Sequence, residues 1–221
     1  MDGMSGLREL KKERTRRAIS EAAIALFLEH GFDQVSVADV AATAEVSKPT
    51  LFSYFPSKED LVVHRFADHQ EQAADVVRGR APGETAIGAL HRDFVAGLDR
   101  RDPITGLSDH PAVLAFNRLV RSTPGLVARG AQYLARAEES LAEALREDPD
   151  VTPPRVLSAR LLAAQLTATQ RVLAEHNHRR IAEDGQSADE LHFEAVGDAD
   201  RAFELLEHGW ARAAGPGRPT R

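Results

Sequence analysis

The chain gathers hydrogen-bond donors without acids in one short stretch. Residues 46–58 hold Ser47, Lys48, Thr50, Ser53, Tyr54, Ser57 and Lys58, and no carboxylate. Hydroxyls, ammonium groups and a phenol in that setting suit a partner rich in acceptors, as phosphates and base edges are. Residues 8–17 form a second such stretch, with six basic and two acidic side chains. All four lysines, Lys11, Lys12, Lys48 and Lys58, lie in the first 58 residues, yet the net charge is −6. Basic character is therefore focused in two segments of an acidic molecule. A local anion-binding face requires that arrangement; a protein coating nucleic acid over its whole surface would not have it.

Catalytic constellations are missing from the sequence. There is no cysteine, which excludes disulfides and Cys-ligated zinc or iron–sulfur centres. His176 and His178 stand two residues apart, about 200° around a helix, and cannot share a metal. No H-E-x-x-H, G-x-S-x-G or phosphate-cradling glycine loop occurs. His64, His69 and His91 fall on core-facing positions, as structural histidines do. The expectation is a protein that is not an enzyme and carries no cofactor or metal. The longest apolar run is the seven residues Ala22 to Leu28, against about 18 for a membrane span. Charge from Arg8 onward leaves no apolar signal core, so the expected location is the cytoplasm.

The elements that must position the donors are helices. Period-two alternation is nearly absent and 3.6-residue patterns dominate, which predicts an all-α chain. A first helix runs from about Leu7 to His30, with Ile19, Ala23, Leu26 and Phe27 inward and Gly31 as its stop. Its early turns are basic, which opposes the helix dipole, so helix stability does not explain them. Ser36 and Asp39 form a capping-box pattern opening a short helix to about Ala44. Ser47 caps a third helix that carries Pro49 in its first turn and stops at Pro56. Ser57 and Asp60 repeat the cap pattern for a longer fourth helix through Phe66, His69 and Val76.

Stepping by 100° per residue puts Leu51, Phe52 and Phe55 on one side of the third helix. Pro49, Thr50, Ser53 and Tyr54 fall on the other. Two short capped helices joined by a tight turn, with a supporting helix before them, describe a helix-turn-helix unit. Its second helix fits the major groove of DNA.

The stretch from Gly31 to Leu61, GFDQVSVADVAATAEVSKPTLFSYFPSKEDL, resembles the DNA-binding signature of the TetR family of transcriptional regulators. The resemblance extends over residues 12–66. It implies that Ser36 contacts phosphate and that Ser47, Lys48, Pro49 and Thr50 open the recognition helix. It further implies that Ser53 and Tyr54 face the groove, that Lys58 clamps phosphate, and that Arg14, Thr15 and Arg16 meet the DNA backbone. Two positions depart from the common pattern. Glu45 stands where a turn glycine is usual, and a left-handed conformation there would cost about 1–2 kcal/mol. Phe52 stands where tyrosine is frequent, so a phosphate bond from that hydroxyl is lost.

The expected organisation is a helix-turn-helix DNA-binding domain at 1–60, with the motif itself at about 35–55. A larger helical ligand-binding and dimerisation domain follows at 61–214, then a disordered tail at 215–221. The resemblance implies a ligand cavity in the larger domain, for which Phe94, Phe116, Arg118, Tyr133 and Gln165 mix aromatic bulk with polar heads. A small effector, lipophilic or acyl-CoA-like, would fill it. The last two helices carry a separate signal: Leu161 and Ala164 on one, Ala195, Ala199, Ala202, Leu206 and Trp210 along the other. Apolar residues on more than half the girth of the first of these helices, and alanines that permit close approach on the second, predict a four-helix homodimer interface. The chain is thus read as a ligand-responsive regulator, a repressor that holds a palindromic double-stranded operator as a dimer until an effector releases it. The alternative is a ligand-independent DNA-binding or architectural protein.

Overall fold

The computed structural model describes residues 3–147 and 156–213, so the expectation for the 215–221 tail lies outside the described residues. Among the described residues every regular element is a helix. In chain order these are α1 (Gly3–His30), α2 (Val37–Thr43), α3 (Lys48–Tyr54), α4 (Asp60–Val63), a 3₁₀ stretch (His64–His69) and α5 (Gln72–Arg78). They continue with α6 (Ala86–Asp99), a 3₁₀ turn (Pro103–Thr105), α7 (Pro111–Ser122), α8 (Pro124–Glu147), α9 (Val156–Ala182) and α10 (Ala188–Ala213). The chain divides into two compact units: residues 1–67 with 115–133, and residues 68–114 with 134–221.

In the first unit Ile19, Ala23 and Phe27 of α1 are buried against Val40 and Ala41 of α2, Leu51 of α3, and Leu61, Val62 and Val63. Leu119 of α7 and Leu126 of α8 complete that core. Gly31, at φ +87°, ends α1 in the left-handed region, with its N–H on the Phe27 carbonyl at 2.9 Å. The single long fourth helix expected from the sequence is interrupted. α4 lasts one turn and passes into 3₁₀ geometry at His64. The cause lies on α1: the buried Ser20 hydroxyl donates to the Leu61 carbonyl at 2.9 Å, and a side chain engaging the ladder disturbs the i→i−4 pattern.

The second unit packs α5, α6, α9 and α10 with Leu107, Leu141 and Leu145 around its own core. His91 of α6 bridges to Asp200 of α10 at 2.8 Å, and His192 of α10 bridges to Asp99 of α6 at the same distance. The 103–108 loop presses on α9. Gly106 has φ +74°, and a Cβ there would lie 1.9 Å from the Ala174 carbonyl oxygen. Asn177, also buried, donates to the Thr105 carbonyl at 3.0 Å.

Candidate nucleic-acid interface

The loop before α2 and the turn before α3 are built by caps. The Asp39 N–H donates to the Ser36 hydroxyl oxygen at 3.2 Å, while the Ser36 N–H and hydroxyl both donate to the Asp39 carboxylate at 2.8 and 2.7 Å. Those bonds to Ser36 hold the Asp39 carboxyl below its ordinary range. At the other end of α2, Glu45 sits at φ +54°. Its N–H reaches the Ala42 carbonyl and the Val46 N–H reaches Ala41 at 2.9 Å. This is the Schellman pattern, whose left-handed position glycine usually takes. Ser47 then caps α3, accepting from the Thr50 N–H at 3.1 Å.

On α3, Leu51 and Phe55 are fully buried and tether the helix. Lys48, Pro49, Thr50 and Ser53 are exposed, a solvent-facing surface free of acids. Two of its hydroxyls already have partners: Thr50 bonds Ser47 at 2.7 Å and Ser53 donates to the Thr50 carbonyl at 2.6 Å. The two aromatic residues exchange the sides expected of them. Phe52 is 48% exposed, whereas Tyr54 is half-buried against the core.

Lys58 also departs from expectation. Its ammonium is turned inward, donating to the Phe32 carbonyl. It lies 4.4 Å from the centroid of the Phe32 ring and 5.4 Å from that of Phe27. A carbonyl and two aromatic faces satisfy a cation well, so here Lys58 pins the loop after α1 instead of displaying its charge. On α1, Arg14 is exposed and the Thr15 hydroxyl donates to the Lys11 carbonyl at 3.0 Å. The Arg16 guanidinium lies 5.8 Å from the centroid of the Phe55 ring, and its buried Nε has no hydrogen-bond partner.

A cluster that sequence reasoning missed ties α4 to α8. The Asp60 carboxylate, 1% exposed, accepts from Arg129 Nε at 2.7 Å and Nη2 at 3.0 Å. It also accepts from the Tyr133 hydroxyl at 2.9 Å and the Ser57 hydroxyl at 2.9 Å. Burial alone would push this carboxyl up; the bonds from Arg129, Ser57 and Tyr133 together outweigh it and hold it below the ordinary range. Arg129 and Asp60 are 69 positions apart, and no local spacing signals such a pair.

The five expected cavity residues are divided between the two units. Phe116, Arg118 and Tyr133 belong to the first unit, Phe94 and Gln165 to the second. Phe94 is buried in its unit's core with its ring 6.2 Å from that of Phe203. Phe116 packs in the first unit, 6.4 Å from Phe66; Arg118 is exposed; Tyr133 serves Asp60. Gln165 is exposed and accepts from Trp210 Nε1 at 2.6 Å. Among the described residues no group of three or more His, Asp or Glu side chains could hold a metal. No described helix is long and apolar enough to cross a membrane.

The expected dimer residues divide. Ala195 and Ala199 are buried in their own unit's core, which corrects the expectation that a second subunit covers them: α10 uses its small residues to pack within its own chain. Ala202, Leu206 and Trp210 are half-buried on that same core. Ala164 is half-buried, and Leu161 is exposed. Exposed apolar side chains lie elsewhere on these helices, at Leu157 and Val172 of α9 and at Phe193 and Leu205 of α10, the last two 88% and 75% exposed.

Residues 19–64 match the model of bacterial regulatory proteins of the tetR family. The chain is 36% identical over 135 residues to the HTH-type transcriptional regulator TcmR of Streptomyces glaucescens, an alignment covering 61% of this chain and 58% of TcmR. The HTH-type transcriptional repressor LfrR of Mycolicibacterium smegmatis is 28% identical over 152 residues, 64% of this chain and 71% of LfrR. In fold, the chain is similar to NalD, the secondary repressor of the MexAB-OprM multidrug efflux pump in Pseudomonas aeruginosa. The TM-score is 0.55 at 18% identity, covering 86% of this chain and 97% of NalD. The Bacillus subtilis transcriptional regulator FadR in complex with stearoyl-CoA gives a TM-score of 0.50 at 19% identity, covering 86% and 96% of the two chains.

Proposed function

We infer, from a chain that belongs to the TetR family of bacterial regulatory proteins, that it binds a palindromic operator as a homodimer and represses transcription until a small effector releases it. One observation carries the DNA-binding part. α3 is capped, free of acids and tethered by Leu51 and Phe55, and it presents Lys48, Pro49, Thr50, Phe52 and Ser53 to solvent. A helix of that size fits the major groove and reads a few base pairs, so a twofold pair with half-sites about 34–36 Å apart supplies the needed specificity. Ser36, Arg14 and Arg16 then approach phosphates beside the groove. The exposed Leu157, Leu161, Val172, Phe193 and Leu205 are the apolar surface that a second copy covers. Repression is supported by the names of LfrR and NalD, and a lipophilic, acyl-CoA-like effector by the stearoyl-CoA of FadR. The ligand-independent alternative draws on Phe94, which fills the core of its unit.

The test is selection of duplexes from a randomised pool, followed by fluorescence anisotropy. The expected result is enrichment of an inverted repeat bound by two chains, with Lys48→Ala and Thr50→Ala weakening the selected duplex more than a scrambled one. Failure to enrich any sequence would remove the operator reading. A thermal-shift screen of acyl-CoA thioesters and other lipophilic molecules separates the sensor from its alternative, since only a sensor gains stability and loses DNA on binding.

A further inference from the structure

We propose that Phe52 is a specificity-determining residue that reads the methyl group of a thymine in each half-site, an inference that rests on the operator reading above. The ring lies on α3 beside Lys48 and Pro49, at the i−4 and i−3 positions, and is 48% exposed on a helix whose other apolar anchors, Leu51 and Phe55, are fully buried. A half-exposed aromatic ring on a surface otherwise made of Lys48, Pro49, Thr50 and Ser53 needs an apolar partner to leave water. Among the groups that base pairs present in the major groove, the thymine C5-methyl is the one protruding apolar group; the groups beside it are mostly hydrogen-bond donors and acceptors.

The polar alternatives at this position are weaker. Phe52 has no hydroxyl and can make no hydrogen bond to phosphate. The Ser53 hydroxyl already donates to the Thr50 carbonyl and the Thr50 hydroxyl is paired with Ser47, so donation from Ser53 to a base requires breaking a bond, and both oxygens are free chiefly to accept. Tyr54, the aromatic residue that does carry a hydroxyl, is half-buried against the core. Beside the exposed Lys48, the Phe52 ring is the side chain on this face that offers apolar contact to DNA without rearrangement.

The experiment uses the full-length chain and a duplex selected from a randomised pool. Each thymine is replaced in turn by deoxyuridine, which keeps base pairing and removes only the methyl. Symmetric replacement at one position of the repeat is expected to weaken wild-type binding about fourfold per half-site, roughly sixteenfold for both, the worth of one buried methyl at each. Phe52→Ala is expected to lower affinity for the thymine duplex and to become indifferent to uracil at that position. Phe52→Leu keeps a smaller penalty, and it decides the matter should the alanine variant bind too weakly to titrate. Wild-type protein that tolerates uracil everywhere, or an equal penalty in wild type and both variants, overturns the proposal while leaving the operator reading in place. Selection of no sequence at all overturns both.

Discussion

Replacing Arg129 by methionine tests the Asp60 cluster. The methionine keeps much of the side-chain volume and removes both charge-assisted bonds, at 2.7 and 3.0 Å, from a carboxylate that is 1% exposed. Breaking one partner out of a buried pair typically costs about 3–5 kcal/mol. Arg129 itself is 26% exposed, so water tempers the loss and the lower end, ~3 kcal/mol, is expected. For a chain of this size that lowers Tm by roughly 6–12 °C. The sign of the pH dependence follows from Asp60. Its folded-state carboxyl is held below the ordinary range, so its stabilising contribution is present above about pH 4 and is lost only as pH falls through the lower folded value. Without Arg129, burial is the largest influence left on this carboxyl and acts to push it up against the bonds from Ser57 and Tyr133. The penalty is then greatest at neutral pH and shrinks as acid neutralises the buried charge. Urea melts at pH 7.5 and pH 5 measure both effects, and Asp60→Asn combined with Arg129→Met should recover part of the loss. A gap below about 1 kcal/mol at pH 7.5, or one that does not narrow at pH 5, would refute the assignment.

Two further substitutions probe the same unit. Lys58→Met should lower its stability by about 1–2 kcal/mol, because a carbonyl loses its donor and two rings lose a cation. A variant as stable as wild type but with a flatter salt dependence of DNA binding would restore the phosphate-clamp role instead. Glu45→Gly, at φ +54°, should raise stability by up to ~1 kcal/mol by relieving a left-handed side chain; chemical denaturation that detects a loss would show the carboxylate makes a contact worth more than the strain.

Much of the first unit was legible because its signals are local. Ser36 with Asp39, Ser47 before Pro49, and Gly31 after α1 act within a few residues, and the structure realises each of them. Leu51 and Phe55 were legible for the same reason. Phe52 and Tyr54 were not. Each lies about 60° around the helix from one of the two anchors, so spacing treats them alike, and only the placement of neighbouring helices buries one and exposes the other. Lys58 turned inward because Phe27 and Phe32 come from a distant turn of the chain. The Asp60–Arg129 pair and the break after α4, caused by Ser20 of α1, are likewise products of tertiary contact. In α10 the alanine stripe announced close packing but not which helix would approach: α6 and α9 of the same chain take Ala195 and Ala199.

Leu119 and Leu126 are buried among residues from the first 67 positions, and this limits how such a protein can be recombined. A gene fusion that grafts only the first 67 residues onto another protein would inherit α3 but leave a hole in the layer beneath it and an Asp60 carboxylate without its guanidinium. Swapping the helix-turn-helix unit between such chains therefore demands two crossover segments, or a recipient whose residues at 115–133 already fit the incoming unit.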